Sequence, residues 1–492
     1  MHRSFLIIFF YFSSIRLAIA QDTIINVRND SIANSVCLQA AMTKLKTLKA
    51  NSDSSFVVVH FGDSHIQGDF MTGLIRKNLQ QEFGSAGDGI LFPYSAFKGY
   101  GPKDLTTVIT GTWNYANLVK NPEKYPIGIT GHTMVTNDKH AGVSFVYDPA
   151  DEVANGNGKN IDKVTIWHGS GNFRMKLVKN GSGDSLVEDT TNFANGLRRA
   201  FIFNYKIGTE LKIVFDTTST DSIFNFHGIS FEQNALRGLQ YHRCGTVGAT
   251  FLQLIKQQEL TLTQLHEVNP DLVIFSYGSN ESYDTNFSIE EYRTKVTAFI
   301  ERIKKEFPGV NIIFTDTPDT RSRNRYPVNT IPINTALREI ATSSCCGFWD
   351  LNTIMGGNHS IIFWLGAGLG AKDKLHFTRT GYALQANLFS LALLDIYSRE
   401  DSSAAILCDT LRARIDRTLQ SIPGNVVAKG SDVVPVTGSS NDVTHVVKSG
   451  ESLSLIAQQY HVTVNQLCEW NDLKENSILH VGQKIVIKRS GG

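Results

Sequence analysis

Three short segments hold side chains that could carry out acyl transfer. The apolar run Phe56-Val57-Val58-Val59 leads directly into His60-Phe61-Gly62-Asp63-Ser64-His65. That order presents Ser64 at the carboxyl end of a strand, where open α/β sheets place their sites. A serine hydroxyl becomes a nucleophile only when a neighbouring base accepts its proton. Asp373-Lys374-Leu375-His376, far downstream, supplies one. An Asp three residues before a His can fold back within one turn, fix the imidazole tautomer and stabilise the imidazolium formed during acyl transfer. The third segment, Tyr277-Gly278-Ser279-Asn280-Glu281, follows the apolar run Leu272-Val273-Ile274-Phe275. An Asn side chain at a strand end can donate to an oxyanion, a contact worth about 3 kcal/mol in the transition state. His65 has a weaker claim to act as base, because adjacent residues in a turn tend to point apart. His242 reads as a structural or substrate-lining residue.

The elements that must position these groups have two textures. After the strand at 56–59, a helical pattern runs from Met71 to Phe83. From about residue 98 to 236 the chain changes to short alternating segments such as Val164-Thr165-Ile166-Trp167, Phe173-Arg174-Met175-Lys176-Leu177 and Leu211-Lys212-Ile213-Val214-Phe215. This predicts an antiparallel β sandwich or jelly roll. The α/β texture then returns: a helix over Ala249 to Glu259, the strand at 272–275, a helix from Ile289 to Glu306, the strand Asn311-Ile312-Ile313-Phe314, a helix near Pro332 to Thr342, and a final helix from Gly381 to Tyr397. Strands alternating with helices imply a mostly parallel sheet covered on both faces. The β-rich segment is thus expected as an insertion between residues 21–97 and 237–420 of one α/β domain.

Composition bounds the rest. A chain of 492 residues exceeds what one hydrophobic core usually supports, so several domains are expected. Its 47 basic and 46 acidic residues argue against nucleic acid or an anionic membrane as partner. Arg3, the apolar run from Phe5 to Phe12 and the small residues Ala18-Ile19-Ala20 have the pattern of an export signal cleaved before Gln21. The apolar run is shorter than the ~20 residues a bilayer needs, and the residue directly after the cleavage point is Gln21 and not a lipid-bearing cysteine, so a soluble mature protein is expected. Export permits disulfides among Cys37, Cys244, Cys345, Cys346, Cys408 and Cys468. The expectation is mostly buried thiols with room for one bridge. With no CxxC pair, no metal is assigned, and the chemistry calls for no cofactor.

Taken together, four blocks in order resemble the SGNH/GDSL hydrolase family: Gly62-Asp63-Ser64, Gly245-Thr246-Val247-Gly248, Gly278-Ser279-Asn280-Glu281 and Asp373-Lys374-Leu375-His376. The resemblance implies a flavodoxin-like three-layer α/β/α fold and a triad of Ser64, His376 and Asp373. It also implies an oxyanion hole made by the backbone N–H groups of Ser64 and Gly248 and the side chain of Asn280. Family members often carry Leu after the serine and Asp after the asparagine, where this chain has His65 and Glu281.

Residues 421–442, rich in Ser, Gly, Val and Asn with Pro423 and Pro435, read as a linker. Beyond it, residues 443–488 resemble a LysM module, a small βααβ fold that binds N-acetylglucosamine-containing glycans such as peptidoglycan or chitin. Within this module Thr463-Val464-Asn465-Gln466 has the spacing of a helix capping box. The whole arrangement is similar to that of peptidoglycan O-acetylesterases, whose insertion looks like a carbohydrate-binding module. That implies a periplasmic or wall-associated serine esterase removing O-acetyl groups from muramic acid. Three alternatives stay open: an acetyl esterase for xylan or capsular glycans, an O-acetyltransferase, and an inactive peptidoglycan-binding scaffold.

Overall fold

The computed structural model describes residues 25–422 and 443–488, apart from 28–29, 52–53, 103, 149–160, 170–174, 180–184, 189–196, 216–222, 234–236, 324, 400, 448–450, 461–462, 472, 474–476, 478 and 480–482. The export-signal segment, Phe173-Arg174 and all but the start of the linker lie outside the described residues.

Alternation along the central strands sets the main architecture. In Ser55–Gly62, Phe56 and Val58 face one buried cluster while Val57, Val59 and Phe61 face another. Leu272–Ser276 and Asn311–Thr315 divide in the same way, Leu272, Ile274 and Ile313 to the first cluster and Val273, Phe275, Ile312 and Phe314 to the second. A strand apolar on both sides must be covered on both sides. Helices Gln39–Ala50, Phe70–Phe83, Arg379–Ser398 and Ala405–Ser421 supply one layer, and Phe251–Lys256, Gln258–Val268, Ile289–Glu306 and Thr330–Ser343 the other. The six-stranded sheet runs Ile32–Ala33, Gly347–Trp349, Asn311–Thr315, Leu272–Ser276, Ser55–Gly62, Gly238–Gly245. All pairs are parallel except the one at the Ile32–Ala33 edge.

Two further antiparallel sheets lie between the strands Ser55–Gly62 and Gly238–Gly245 in the chain, each with a path of five strands and one with a sixth strand off its path. Their inward residues, among them Phe145, Tyr147, Phe226 and Phe231, form one core, with the Tyr147 and Phe231 rings stacked at 4.5 Å. Gly87–Leu91 joins this region by pairing with Phe224–Glu232. A buried ionic network ties it to the α/β sheet. Arg243 contacts Asp69 at 2.6 Å, Arg76 contacts both Asp69 and Asp88 at 3.3 Å, and the Tyr147 hydroxyl donates to Asp88. Breaking a buried pair of this kind typically costs about 3–5 kcal/mol.

Two helices differ from the sequence reading. The helix expected over 249–259 stops at Lys256, where Gln257 leaves helical geometry with φ −102° and ψ 20°, and a second helix runs on to Val268. Nor does the helix ending at Ser398 close the domain. Ala405–Ser421 follows it and buries Leu407, Leu411, Ile415 and Leu419, a four-residue spacing that lines one helix face.

At the C-terminus, Val443–Val446 pairs antiparallel with Lys484–Lys488, and helices Leu453–Gln459 and Val464–Asn471 lie between them in the chain. The capping box forms: the Thr463 N–H donates to Gln466 Oε1 at 2.8 Å, and the Gln466 N–H donates to Thr463 Oγ1 at 3.2 Å. One disulfide, Cys37–Cys345, pins the segment before Gln39–Ala50 to the turn before Gly347–Trp349, and the other four cysteines are buried thiols. Among the described residues, no helix is long and apolar enough to cross a membrane.

Candidate active site

The strand Ser55–Gly62 ends in a sharp turn, and Ser64 opens a single helical turn, Ser64–Gln67, capped by the Asp63 carboxylate, which accepts the His65 N–H at 2.9 Å. The turn is possible because its neighbours are glycines. A Cβ on Gly245 would lie 2.3 Å from the Gln67 nitrogen, so only glycine lets the adjacent strand pass under the serine.

The structure brings the three distant segments together. His376 Nε2 stands 2.9 Å from Ser64 Oγ, and His376 Nδ1 stands 2.7 Å from Asp373 Oδ2. The other Asp373 oxygen accepts the N–H groups of Leu375 and His376, both at 3.0 Å. Lys374, at φ 59°, makes the tight turn that allows this. Burial raises the Asp373 pKa, but the donors from His376 and the two amides outweigh it, and the net shift is downward. An ionised carboxylate therefore holds the imidazole with Nε2 toward the serine.

Three further N–H donors belong to the segments around the serine. Gly248 adopts φ +80°, a conformation strained for any other residue, and its N–H and that of Ser64 have no hydrogen-bond acceptor among the described residues. Asn280 Nδ2 donates to the Ala249 carbonyl at 2.9 Å and faces Asp63 Oδ2 at 3.4 Å. The first bond orients the amide, and the second is long enough to yield to a better acceptor.

His65 turns elsewhere: its Nδ1 pairs with the Tyr382 hydroxyl at 2.9 Å, and burial, with His376 nearby, pushes its pKa down to about 3. His242 is buried and accepts the Ile90 N–H through Nδ1, a structural role. Glu281 is buried as well. Its carboxylate accepts the N–H of Phe251, at the start of a helix two residues beyond Ala249, and burial pushes its pKa up to about 7. Asp63, which adds to that rise, is itself pushed up to about 6 by burial, against the pull of the His65 amide and of His376.

Residues not singled out from sequence complete the frame. Gln67 Oε1 accepts the Val247 N–H at 2.8 Å, and its amide donates to the Tyr100 carbonyl. From the antiparallel region, His132 Nε2 contacts the Gly245 carbonyl at 3.1 Å and Thr246 Oγ1 at 3.2 Å, so the insertion buttresses the loop carrying Gly248.

Serine, imidazole and carboxylate in line at the carboxyl end of a parallel sheet is the arrangement that acyl transfer through a serine requires. Residues 230–384 match the model of the GDSL-like Lipase/Acylhydrolase family, and residues 445–488 match the LysM domain. The chain carries a GDSL-like acylhydrolase domain followed by a C-terminal LysM domain. A solved peptidoglycan O-acetylesterase superposes with a TM-score of 0.60 at 22% identity, covering 77% of this chain and 99% of that one, and so shares the fold. The N-acetylmuramoyl-L-alanine amidase XlyA of Bacillus subtilis is 40% identical over 50 residues, 10% of this chain and 17% of the amidase. An autolysin of Enterococcus faecalis is 40% identical over 65 residues, 12% of this chain and 9% of that protein. The chain thus spans less than a fifth of either relative.

Proposed function

We propose that the protein is an exported serine esterase that removes O-acetyl groups from cell-wall glycan, with peptidoglycan acetylated on muramic acid as its substrate. The observation that carries this reading is the line Asp373–His376–Ser64, at 2.7 and 2.9 Å. His376 takes the Ser64 proton as Oγ attacks the acetyl carbonyl, and Asp373 stabilises the imidazolium. The N–H groups of Ser64 and Gly248 and the Asn280 amide receive the oxyanion. His376 then gives the proton to the departing sugar oxygen, which leaves as a hydroxyl, and water, activated by the same imidazole, releases acetate from the acyl-enzyme.

The wall as location is supported by the LysM domain, by similarity to an amidase and an autolysin, and by the fold shared with a peptidoglycan O-acetylesterase. The domain would bind N-acetylglucosamine-containing glycan and raise the local concentration of ester. Export is supported by the pattern of residues 1–20 and by the Cys37–Cys345 disulfide, which suits an oxidising compartment.

The test is acetate release from O-acetylated peptidoglycan by the protein lacking residues 1–20, beside Ser64→Ala. Release that depends on Ser64 and exceeds release from acetylated xylan supports the reading. Greater release from xylan moves the substrate to other polysaccharides, acetylated sugar in place of free acetate makes the enzyme a transferase, and no turnover at all leaves a binding protein.

A further inference from the structure

The chain is nearly neutral, yet cations gather beside the proposed triad. Arg321, Arg323, Arg325, Lys372, Lys374 and Arg379 lie in two short stretches, 319–325 and 372–379, whose only acidic residues are Asp319 and Asp373. Asp373 is spent on His376, and Asp319 accepts the Ile361 N–H at 2.9 Å. The two stretches are joined, since the Arg321 N–H donates to the Lys374 carbonyl at 2.8 Å. A tight hairpin, closed by paired backbone bonds between Ser322 and Arg325, then holds Arg323 and Arg325 out in solvent. The Arg379 guanidinium, three residues beyond His376 in the chain, sits 5.2 Å from the centre of the Phe70 ring. Phe70 stacks on Tyr382, the partner of His65.

None of the six cations has a carboxylate within ion-pair distance among the described residues, whereas Arg293, Arg302, Arg338 and Arg412 on other surfaces each bind one. Like charges within a screening length of about 10 Å repel, so such a group is relieved when an anion enters. A second feature marks the same rim. A small cleft of about 110 Å³ opens beside the hairpin, lined by Asp319, Tyr326 and His359 among others. The Arg321 guanidinium lies 5.1 Å from the centre of the Tyr326 ring, and its buried Nε has no hydrogen-bond partner among the described residues. Guanidinium groups match carboxylates bidentately, and an aromatic and polar cleft suits a sugar ring.

We propose that this rim reads carboxylates, so that the esters taken by the site are carried on an anionic glycan in preference to a neutral one. The inference rests on the esterase reading and narrows its substrate class. Two sources of carboxylate fit: the ether-linked lactyl group on the sugar itself, and the peptide attached to it.

The experiment compares kcat/KM of the protein lacking residues 1–20 on O-acetylated muropeptides, on the same fragments stripped of peptide, and on a neutral acetylated chito-oligosaccharide. The variants are Arg323→Gln with Arg325→Gln, and Arg379→Gln. Turnover of the neutral ester in each preparation reports a folded site. The expected result is a preference for anionic over neutral ester that falls roughly twofold to fivefold through KM for each arginine removed. In the unsubstituted protein that preference should also decline as salt rises from about 20 to about 500 mM, which shortens the screening length from roughly 20 to roughly 4 Å. A preference that survives peptide removal assigns the lactyl group, and one that disappears assigns the peptide. Ser64-dependent turnover with equal rates on charged and neutral esters overturns the inference and leaves the esterase standing. Absence of Ser64-dependent turnover on every ester overturns both.

Discussion

One oxygen of Asp373 holds Nδ1 of His376 at 2.7 Å while the other gathers the amides of residues 375 and 376, so a single exposed loop fixes both the tautomer and the direction of the imidazole. Asp373→Asn keeps an acceptor for the amides but offers an N–H or a neutral oxygen to Nδ1. The imidazolium then loses its counter-charge. We expect kcat on p-nitrophenyl acetate to fall roughly 10²- to 10⁴-fold with KM little changed. A loss under about fivefold would show that this carboxylate does not serve the base.

Asn280 already spends one amide hydrogen on the Ala249 carbonyl. Asn280→Ala therefore removes the proposed oxyanion donor together with a tie to the loop that carries Gly248. The expected loss is about 10²- to 10³-fold in kcat, with substrate binding less affected. Gly248→Ala probes the same hole from the backbone. Its Cβ would meet only Val119, at 3.8 Å, so the cost arises from φ +80° and not from a clash. Stability should decline by about 1 kcal/mol and kcat by more than that figure alone implies. Equal activity in both variants would remove this loop from the oxyanion hole.

How much of this was legible in the sequence depends on the range over which each residue acts. Val57, Val58 and Val59 announce a strand buried on both faces, and Asp373 and His376 announce each other because their partnership is local. Gln67 and Tyr382 gave no such signal. The first clamps Val247 and the second orients His65 across 317 residues, and a polar residue serving a partner that distant has no local pattern. Short edge elements were equally silent: Ile32–Ala33 has two residues, and Gly87–Leu91, with two glycines in five residues, has no alternating pattern and forms a strand by pairing with Phe224–Glu232. The helix Ala405–Ser421 did have a readable four-residue apolar spacing.

The Cys37–Cys345 bridge closes a loop with a sequence separation of 308 residues around most of the α/β sheet. Cross-linking so long a loop typically stabilises by about 2–4 kcal/mol, mainly through the unfolded chain. Cys37→Ser should lower the melting temperature by roughly 4–10 °C. Thiol reductant should lower that of the unsubstituted protein to match and leave the variant unmoved. A variant that melts with the parent under oxidising conditions would mean that the bridge does not constrain unfolding.

Glu281 makes stability depend on pH in a direction opposite to that of a salt-bridged carboxylate. Burial lifts its pKa from the ordinary 4.5 to about 7, so between these values the folded protein retains a proton that the unfolded chain has released. Stability is then full below about pH 4.5, falls as pH rises through the window, and stays reduced above about pH 7. Asp63, raised to about 6, acts in the same sense. Glu281→Gln keeps a carbonyl oxygen for the Phe251 N–H but cannot ionise. We expect chemical denaturation at pH 5 and pH 8 to show a smaller decline in the variant than in the parent, by on the order of 2–3 kcal/mol. Glu281→Ala, which leaves the Phe251 N–H without its acceptor, should cost activity at every pH, because the helix start that positions Ala249 and Gly248 loses its anchor. Identical pH dependence in parent and Gln variant would show that Glu281 ionises as freely in the fold as outside it.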